Sequence, residues 1–402
     1  MKPYLSIIGI GEDGVDGLSV EARGLLAGAS LVIGGSRHLA LAGGLIAGAR
    51  AVWPKPIMDA VRLILAEAPL PVVVLASGDP FCFGVGPMLA QALPDGAWRC
   101  LPGISSLSFA CARLGWALQD TEVISFCGRP VAAMLAGLAP NRRVLALSED
   151  EATPGLVAAL LTEHGFGASE IILLEALGGP QERVSRHTAA RFVAPDTNRL
   201  NLLAITLHAV PGTQILPRLA GLPDDAFAHD GQITKREIRA ATLAGLAPMP
   251  GDLLWDIGTG SGSIAIEWMR AHPSNRAVAL DRRPDRLARA AANAGTLGVP
   301  ALECIKGSAP EALAGLPPPD AIFIGGGAQI PGVIDTCWSA LRTGGRMVIN
   351  AVTIETEAVL FDAWHQHGGS LIRIGVERLV EVGRMHGYRP AMTITQWAAR
   401  KP

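Results

Sequence analysis

The stretch Leu253–Glu267, LLWDIGTGSGSIAIE, constrains the fold more than any other part of the chain. Leu253 to Ile257 is apolar apart from Asp256 and has no helical spacing, so it reads as a short buried strand. Gly258, Gly260 and Gly262 then fall at alternate positions, before an apolar helix pattern from Ile264 to Met269. Strand, glycine turn and helix N-terminus together let backbone approach a ligand where a Cβ would intrude. A dinucleotide fold sets a similar run against pyrophosphate, so glycines alone do not choose the ligand. Two acids do. Asp256 stands just before the glycines, and Asp281 ends the next apolar strand, Ala277–Leu280. A carboxylate at that second strand end is placed to accept both hydroxyls of a ribose, and Asp256 is expected to meet an amino-acid ammonium, directly or through water. No phosphate-gripping lysine follows the glycines. With Thr259 and Ser261 between the glycines, the set predicts a site for S-adenosylmethionine (SAM) and hence a methyltransferase.

A chain of 402 residues is too long for one ordinary core, so two domains are expected. Hydrophobic residues make up 49% and charged residues 17%, yet no unbroken apolar run is long enough to span a bilayer. The net charge of −2 gives no case for a nucleic-acid partner, so an anionic substrate has to be met by local cations. After Lys2 and Pro3 the chain enters a strand directly, so no signal peptide is expected and a cytoplasmic location is. The six cysteines include no Cys-x-x-Cys pair, which fits free thiols in a reducing compartment; no metal site is expected.

From the start, Tyr4–Ile10 reads as a strand running into Gly11. Ser19 offers a helix cap, and Leu31–Ile33 precedes GGSRHL. Val72–Leu75 delivers Ser77-Gly78-Asp79-Pro80 at its carboxyl end, where open α/β sheets place ligand loops. Pro102-Gly103-Ile104-Ser105-Ser106 opens another helix, and a last strand, Leu202–Leu207, follows Asn201. Pro and Gly then cluster over His208–His229, which reads as a linker. The expected division is residues 1–211, a linker at 212–229, and residues 230–402. Thr234 and Glu237 are spaced as a capping box for a basic helix carrying Lys235, Arg236 and Arg239. The tail, Ser370–Gly375, Val376–Val382 and Ala391–Trp397, alternates like antiparallel strands closing a sheet.

IIGIGEDGVDGLS, GGSRHL, SGDPFCFG, PGISS and NLLAITL resemble, in order, the loops of the tetrapyrrole methylase family. GGSRHL is similar to the branch that methylates corrin precursors at carbon 5. The resemblance implies a two-lobed α/β fold holding SAM through Ile10, Gly11, Asp79, Ser105, Ser106, Asn201 and Leu202. Glu12 stands where that family often has proline. From DGQITKREIRA to the last strands, the chain resembles the carbon-15 methylating and decarboxylating enzymes of cobalamin synthesis, which have a seven-strand Rossmann-like fold. That likeness implies SAM contacts at Thr234, Gly258 to Gly262, Asp281 and Ala309, with Ser308 where many methyltransferases place an acid. Together the halves imply an α/β enzyme binding two SAM per chain. Its expected work is methylation of a polycarboxylate tetrapyrrole at carbons 5 and 15, with loss of a ring acetate as carbon dioxide. A homo-oligomer without nucleic-acid or membrane partners is expected.

Each feature has a plainer reading. Asp79 before Pro80 suits any turn, Ser105 and Ser106 suit helix caps, and His38 suits a structural hydrogen bond. Asp281-Arg282-Arg283 is also what a solvated charge cluster looks like. The joint occurrence of two ordered site grammars in one chain outweighs these. It also outweighs a methyltransferase acting on RNA or protein, since no Asn-Pro-Pro-Tyr loop follows Ile324, and a SAM-binding protein with one inactive half. Lys235, Arg236 and Arg239 are the expected carboxylate clamps. The sequence assigns no general base.

Overall fold

The computed structural model describes residues 3–402. The chain forms two compact units: residues up to Val131 with Pro140–Thr213, and Ala132–Ala139 with Gln214–Pro402.

The first unit holds two sheets. Strands β1 (Leu5–Ile10), β2 (Leu31–Gly34), β3 (Ala49–Val52), β4 (Val72–Ser77) and β5 (Trp98–Leu101) form a parallel sheet in the order β3-β2-β4-β1-β5. Its central strands β1, β2 and β4 are buried on both faces, which is why they read as continuous apolar runs rather than alternating ones. The second sheet joins β6 (Glu122–Ser125), β7 (Arg143–Leu147), β8 (Glu170–Glu175), β9 (Arg183–Thr188) and β10 (Asn201–Thr206) in the order β6-β7-β10-β8-β9. There only β6 and β7 are parallel.

The second unit is built on seven strands. These are β11 (Leu253–Ile257), β12 (Arg276–Asp281), β13 (Glu303–Lys306), β14 (Ala321–Ile324), β15 (Arg346–Ala351), β16 (Ser370–Ile374) and, after β17 (Glu377–Val382) and β18 (Met385–Pro390), β19 (Ile394–Arg400). Their order is β13-β12-β11-β14-β15-β19-β16, parallel up to β15, with β19 antiparallel to both its neighbours. The order reverses between β11 and β14, and crevices of such sheets open at the carboxyl ends of the strands at this point. Strand alternation divides the core between the two faces. Leu253, Trp255 and Ile257 pack on one side with Trp397, and Leu254 packs on the other with Ile264 and Trp268.

Two expectations are corrected here. The stretch taken as a linker is largely part of the second unit: Leu222 and Phe227 lie in its core, and the amides of Gly221 and Leu222 donate to the Glu267 carboxylate. The Pro and Gly spacing hid two anchoring apolar residues. The tail segment Val376–Val382 does not close the main sheet either. Its strand β17 pairs with β18 in a separate two-stranded ribbon, exposed along most of its length. No helix among the described residues is long and apolar enough to cross a membrane.

Candidate active site

In the first unit, the loops after β1, β4 and β5 meet at one sheet edge. Gly78 N donates to the Ile10 carbonyl at 3.1 Å, and Gly103 N donates to the Gly78 carbonyl at 3.0 Å. A Cβ on Gly9 would sit 1.8 Å from the Gly78 oxygen, so only glycine permits this convergence. Ile10 is buried, with Gly11 beyond it; Ser105 caps the helix Ser106–Leu114 by accepting from Ser108 N. Asp79 Oδ1 accepts from Phe81 N at 2.8 Å, a turn role for at least one of its oxygens. Leu107 of that helix and Cys82 of the Asp79 loop pack in one cluster with Leu202, bringing the second sheet to the same place. Asn201 is buried, its amide donating to the carbonyls of Asp150 and Asn198.

Glu12, the departure from proline, pairs with Arg37. Arg37 Nη2 in turn donates to Ser77 Oγ at 2.7 Å and lies 2.9 Å from His38 Nε2. Burial, with the Arg37 guanidinium adjacent, pushes His38 down to about 4, so its ring is neutral near pH 7.

In the second unit, a cavity of about 790 Å³ opens at the carboxyl ends of β11, β12, β14 and β15. Gly258, Thr259, Gly260, Ser261, Asp281, Ala309 and Thr234 all line it. Asp281 Oδ2 accepts from Gly260 N at 3.1 Å and Oδ1 from Arg283 N at 2.9 Å, which aims the carboxylate while each oxygen keeps a lone pair for a diol. The glycines divide by task. A Cβ on Gly258 would meet Gly326 N at 2.9 Å, and one on Gly262 would meet Ala290 Cβ at 2.9 Å, so these two permit close packing. A Cβ on Gly260 meets only Gln232 O at 3.9 Å and would point into open space at the cavity.

Two expected site residues and one expected helix cap do otherwise. Asp256, 1% exposed, is not in the cavity lining. Strand parity turns it under the following helix, where Oδ2 accepts from Thr259 Oγ1 at 2.7 Å and Ala265 N at 3.1 Å. There it shapes the glycine turn from beneath, with Oδ1 left without a partner among the described residues. Thr234 is no cap, since Lys235 holds the N-cap position of the helix Arg236–Leu246. Arg239 is fully buried and cannot clamp a substrate: Nε bonds Glu267 at 2.5 Å, Nη1 bonds Asp224 at 3.1 Å, and Nη1 donates to the Thr234 carbonyl. Helical spacing had put it on the face turned inward. Of the other two expected clamps, Arg236 is exposed outside the cavity lining, and Lys235 lines it with Nζ 3.6 Å from Asp224.

Arg282, Arg286 and Arg378 also line the cavity, and Arg282 has no partner among the described residues. Arg282 directly follows Asp281, so its position was legible. Arg378 comes from the ribbon strand β17, and no local motif marks it.

Arg239→Ala should destabilise the protein by about 3–5 kcal/mol, as expected for stranding a buried carboxylate. Chemical denaturation measures this, and an unchanged midpoint with a raised Michaelis constant would restore the clamp role. A second prediction concerns pH. Burial pushes the Asp256 carboxyl up to about 7, with Asp281 adding to the effect and the Thr259 and Ala265 bonds opposing it. A raised acid keeps its proton in the folded state after the unfolded chain has released it. Its contribution is therefore fully present below about pH 4 and lost as pH climbs through 7. Asp256→Asn should flatten the decline in Tm across that window; an identical pH profile would assign the decline to other groups.

The seven-stranded sheet, its glycine turn and the acid ending β12 define the second unit as a Rossmann-like methyltransferase. Two family models match the chain: tetrapyrrole (corrin/porphyrin) methylases over residues 4–192, and the precorrin methyltransferase domain over residues 225–401. The chain is 52% identical over 401 residues to a decarboxylating precorrin-6Y C(5,15)-methyltransferase of Sinorhizobium sp, covering 100% of this chain and 97% of the relative. A Mycobacterium tuberculosis (strain CDC 1551 / Oshkosh) protein of the same name is 40% identical, over 98% of this chain and 99% of the relative. A crystal structure of the C-terminal domain of precorrin-6Y C5,15-methyltransferase from Rhodobacter capsulatus is 44% identical, covering 46% of this chain and all of that one, with a TM-score of 0.44. The chain belongs to the family of decarboxylating precorrin-6Y C(5,15)-methyltransferases.

Proposed function

We propose that this enzyme methylates a precorrin at carbons 5 and 15 and removes one ring acetate as carbon dioxide. The first unit serves carbon 5; the second serves carbon 15 and the decarboxylation. The observation that carries this reading is the second-unit cavity, which joins a ribose-shaped cradle at Asp281 and Gly260 to walls bearing Arg282, Arg378 and Lys235. The cradle suits SAM, which supplies a methyl group activated by its sulfonium. Asp281 orients the ribose, the glycine turn lets the backbone approach, and the cations hold carboxylates of the macrocycle. A meso carbon of a partly reduced tetrapyrrole is enamine-like and attacks without a protein nucleophile, so alignment in a cavity away from water is the protein's main contribution.

The same reading takes two SAM per chain, one for each glycine-lined site. It also takes a cytoplasmic setting without nucleic-acid or membrane partners, and self-association, for which exposed Leu379, Met385 and Tyr388 offer apolar surface. Incubating the full chain with a precorrin and SAM, followed by mass analysis, tests the function. Gain of two methyl groups with loss of one carbon dioxide is expected, and a product with neither change would overturn it.

A further inference from the structure

Asn350, half-buried on β15, lines the second-unit cavity with its carboxamide held at both ends. Nδ2 donates to Thr242 Oγ1 at 2.9 Å, and Oδ1 accepts from Gln396 Nε2 at 2.9 Å. Thr242 is fully buried and donates its own hydroxyl proton to the Ile238 carbonyl at 2.8 Å. With that proton on the helix carbonyl, it accepts from Asn350, and from Gln396 Nε2 at 3.2 Å. This arrangement turns the nitrogen of each amide toward Thr242. One hydrogen on Asn350 Nδ2 remains free, on an amide that cannot rotate without breaking two bonds.

Apolar side chains share its wall. Ile238 lies one helical turn before Thr242, and Val352 and Ile394 lie two residues from Asn350 and Gln396; all three line the cavity. In the sheet order β12-β11-β14-β15, Asn350 stands three strand spacings, roughly 14 Å, from the Asp281 strand. This puts it away from the ribose cradle. No lysine or arginine donates to the Thr242–Asn350–Gln396 trio.

We infer that Asn350 is a catalytic residue of the decarboxylation, its free Nδ2–H binding the acetate carboxylate that is lost; this rests on the function proposed above. As the bond between the acetate methylene and the carboxylate carbon breaks, its electron pair passes into the conjugated macrocycle and carbon dioxide leaves. The methylene then takes up one proton and becomes a methyl group. Negative charge leaves the carboxylate along this path, so a guanidinium would hold the starting state more tightly than the transition state. A single neutral donor orients the group with less of that penalty. Thr242 and Gln396 are positioning residues, acting through the amide.

The test uses the full-length enzyme with a precorrin and SAM, reading methyl gain and carbon dioxide loss separately, with SAM affinity by calorimetry. Asn350→Ala should slow carbon dioxide release by about 10–100-fold, the range expected for a misoriented reacting group, with SAM affinity unchanged. Asn350→Asp keeps the acceptor for Gln396 and sets a carboxylate against the substrate. Its decarboxylation should be absent at mildly alkaline pH and return in part under mild acid while SAM affinity holds across that range, a combination a structural role would not give. Wild-type rates in both variants would overturn the inference alone. Loss of SAM binding in both would overturn it in favour of a purely structural trio. A wild-type enzyme that neither methylates nor decarboxylates would instead overturn the function itself, and this inference with it.

Discussion

Asp281→Ala in the full chain is expected to stop carbon dioxide release, whereas Asp79→Ala should leave it running and halt the product one methyl short. Asp281 lines the second-unit cavity with both oxygens aimed by the backbone amides of Gly260 and Arg283. Two hydrogen bonds from a ribose to a charged acceptor contribute about 1.5–3 kcal/mol each. Their loss should weaken SAM binding at that site by roughly 10²–10⁴-fold. Alanine also leaves two amides without acceptors, so Asp281→Asn, which keeps an oxygen for one of them, separates ligand loss from loop collapse. Asp79 sits in the other unit, in a turn it caps by accepting from Phe81 N. Mass spectrometry of the product mixture distinguishes the outcomes. A singly methylated, decarboxylated species should accumulate with Asp79→Ala and not with Asp281→Ala. If Asp79→Ala also ends carbon dioxide release, the chain works as one composite site and the two-catalyst reading is wrong.

Gly260→Val should remove SAM binding at the second site while the unit stays folded. The residue has φ +58, and a left-handed conformation costs a non-glycine residue about 1–2 kcal/mol. The larger effect is steric: the added Cβ meets no protein atom closer than 3.9 Å, so it and its methyls enter ligand space. A loss of at least ~100-fold in affinity is expected, about 2.8 kcal/mol at 1.4 kcal/mol per decade. Gly262→Val is the contrasting variant. There the Cβ would strike Ala290 Cβ at 2.9 Å, and the helix itself should shift, with a drop in Tm that Gly260→Val does not match. Calorimetry and thermal melts on the two variants separate these; equal losses of stability would assign both glycines to packing.

Sequence alone determined the elements whose physics is local. An apolar run too short for a helix, followed by alternate glycines, specifies strand, turn and helix start, and β11 with the helix Ser263–Ala271 follows it closely. Strand-end position made Asp281 legible, because the crevice of such a sheet lies at the carboxyl ends of its strands and Asp281 is the last residue of β12. The convergence of Gly9, Gly78 and Gly103 was legible as three glycine loops at strand ends, though not as a close packing.

Tertiary structure decided whatever depends on which face turns inward. Asp256 and Asp281 are both strand-end acids, yet only one lines the cavity, because strand parity turns Asp256 beneath the helix that follows. Arg239 shares a helix with Lys235 and Arg236, and helical periodicity alone does not say which face meets the sheet. Leu222 and Phe227 look like linker residues until Glu267 binds the backbone beside Leu222 and the core closes over both. Arg378 and Asn350 are remote in sequence from the glycine turn, and only the ribbon and the antiparallel pairing of β15 with β19 bring them to its cavity. Local chemistry is written residue by residue, but burial and proximity are properties of the packed sheet, and those separated a clamp from a core ion pair.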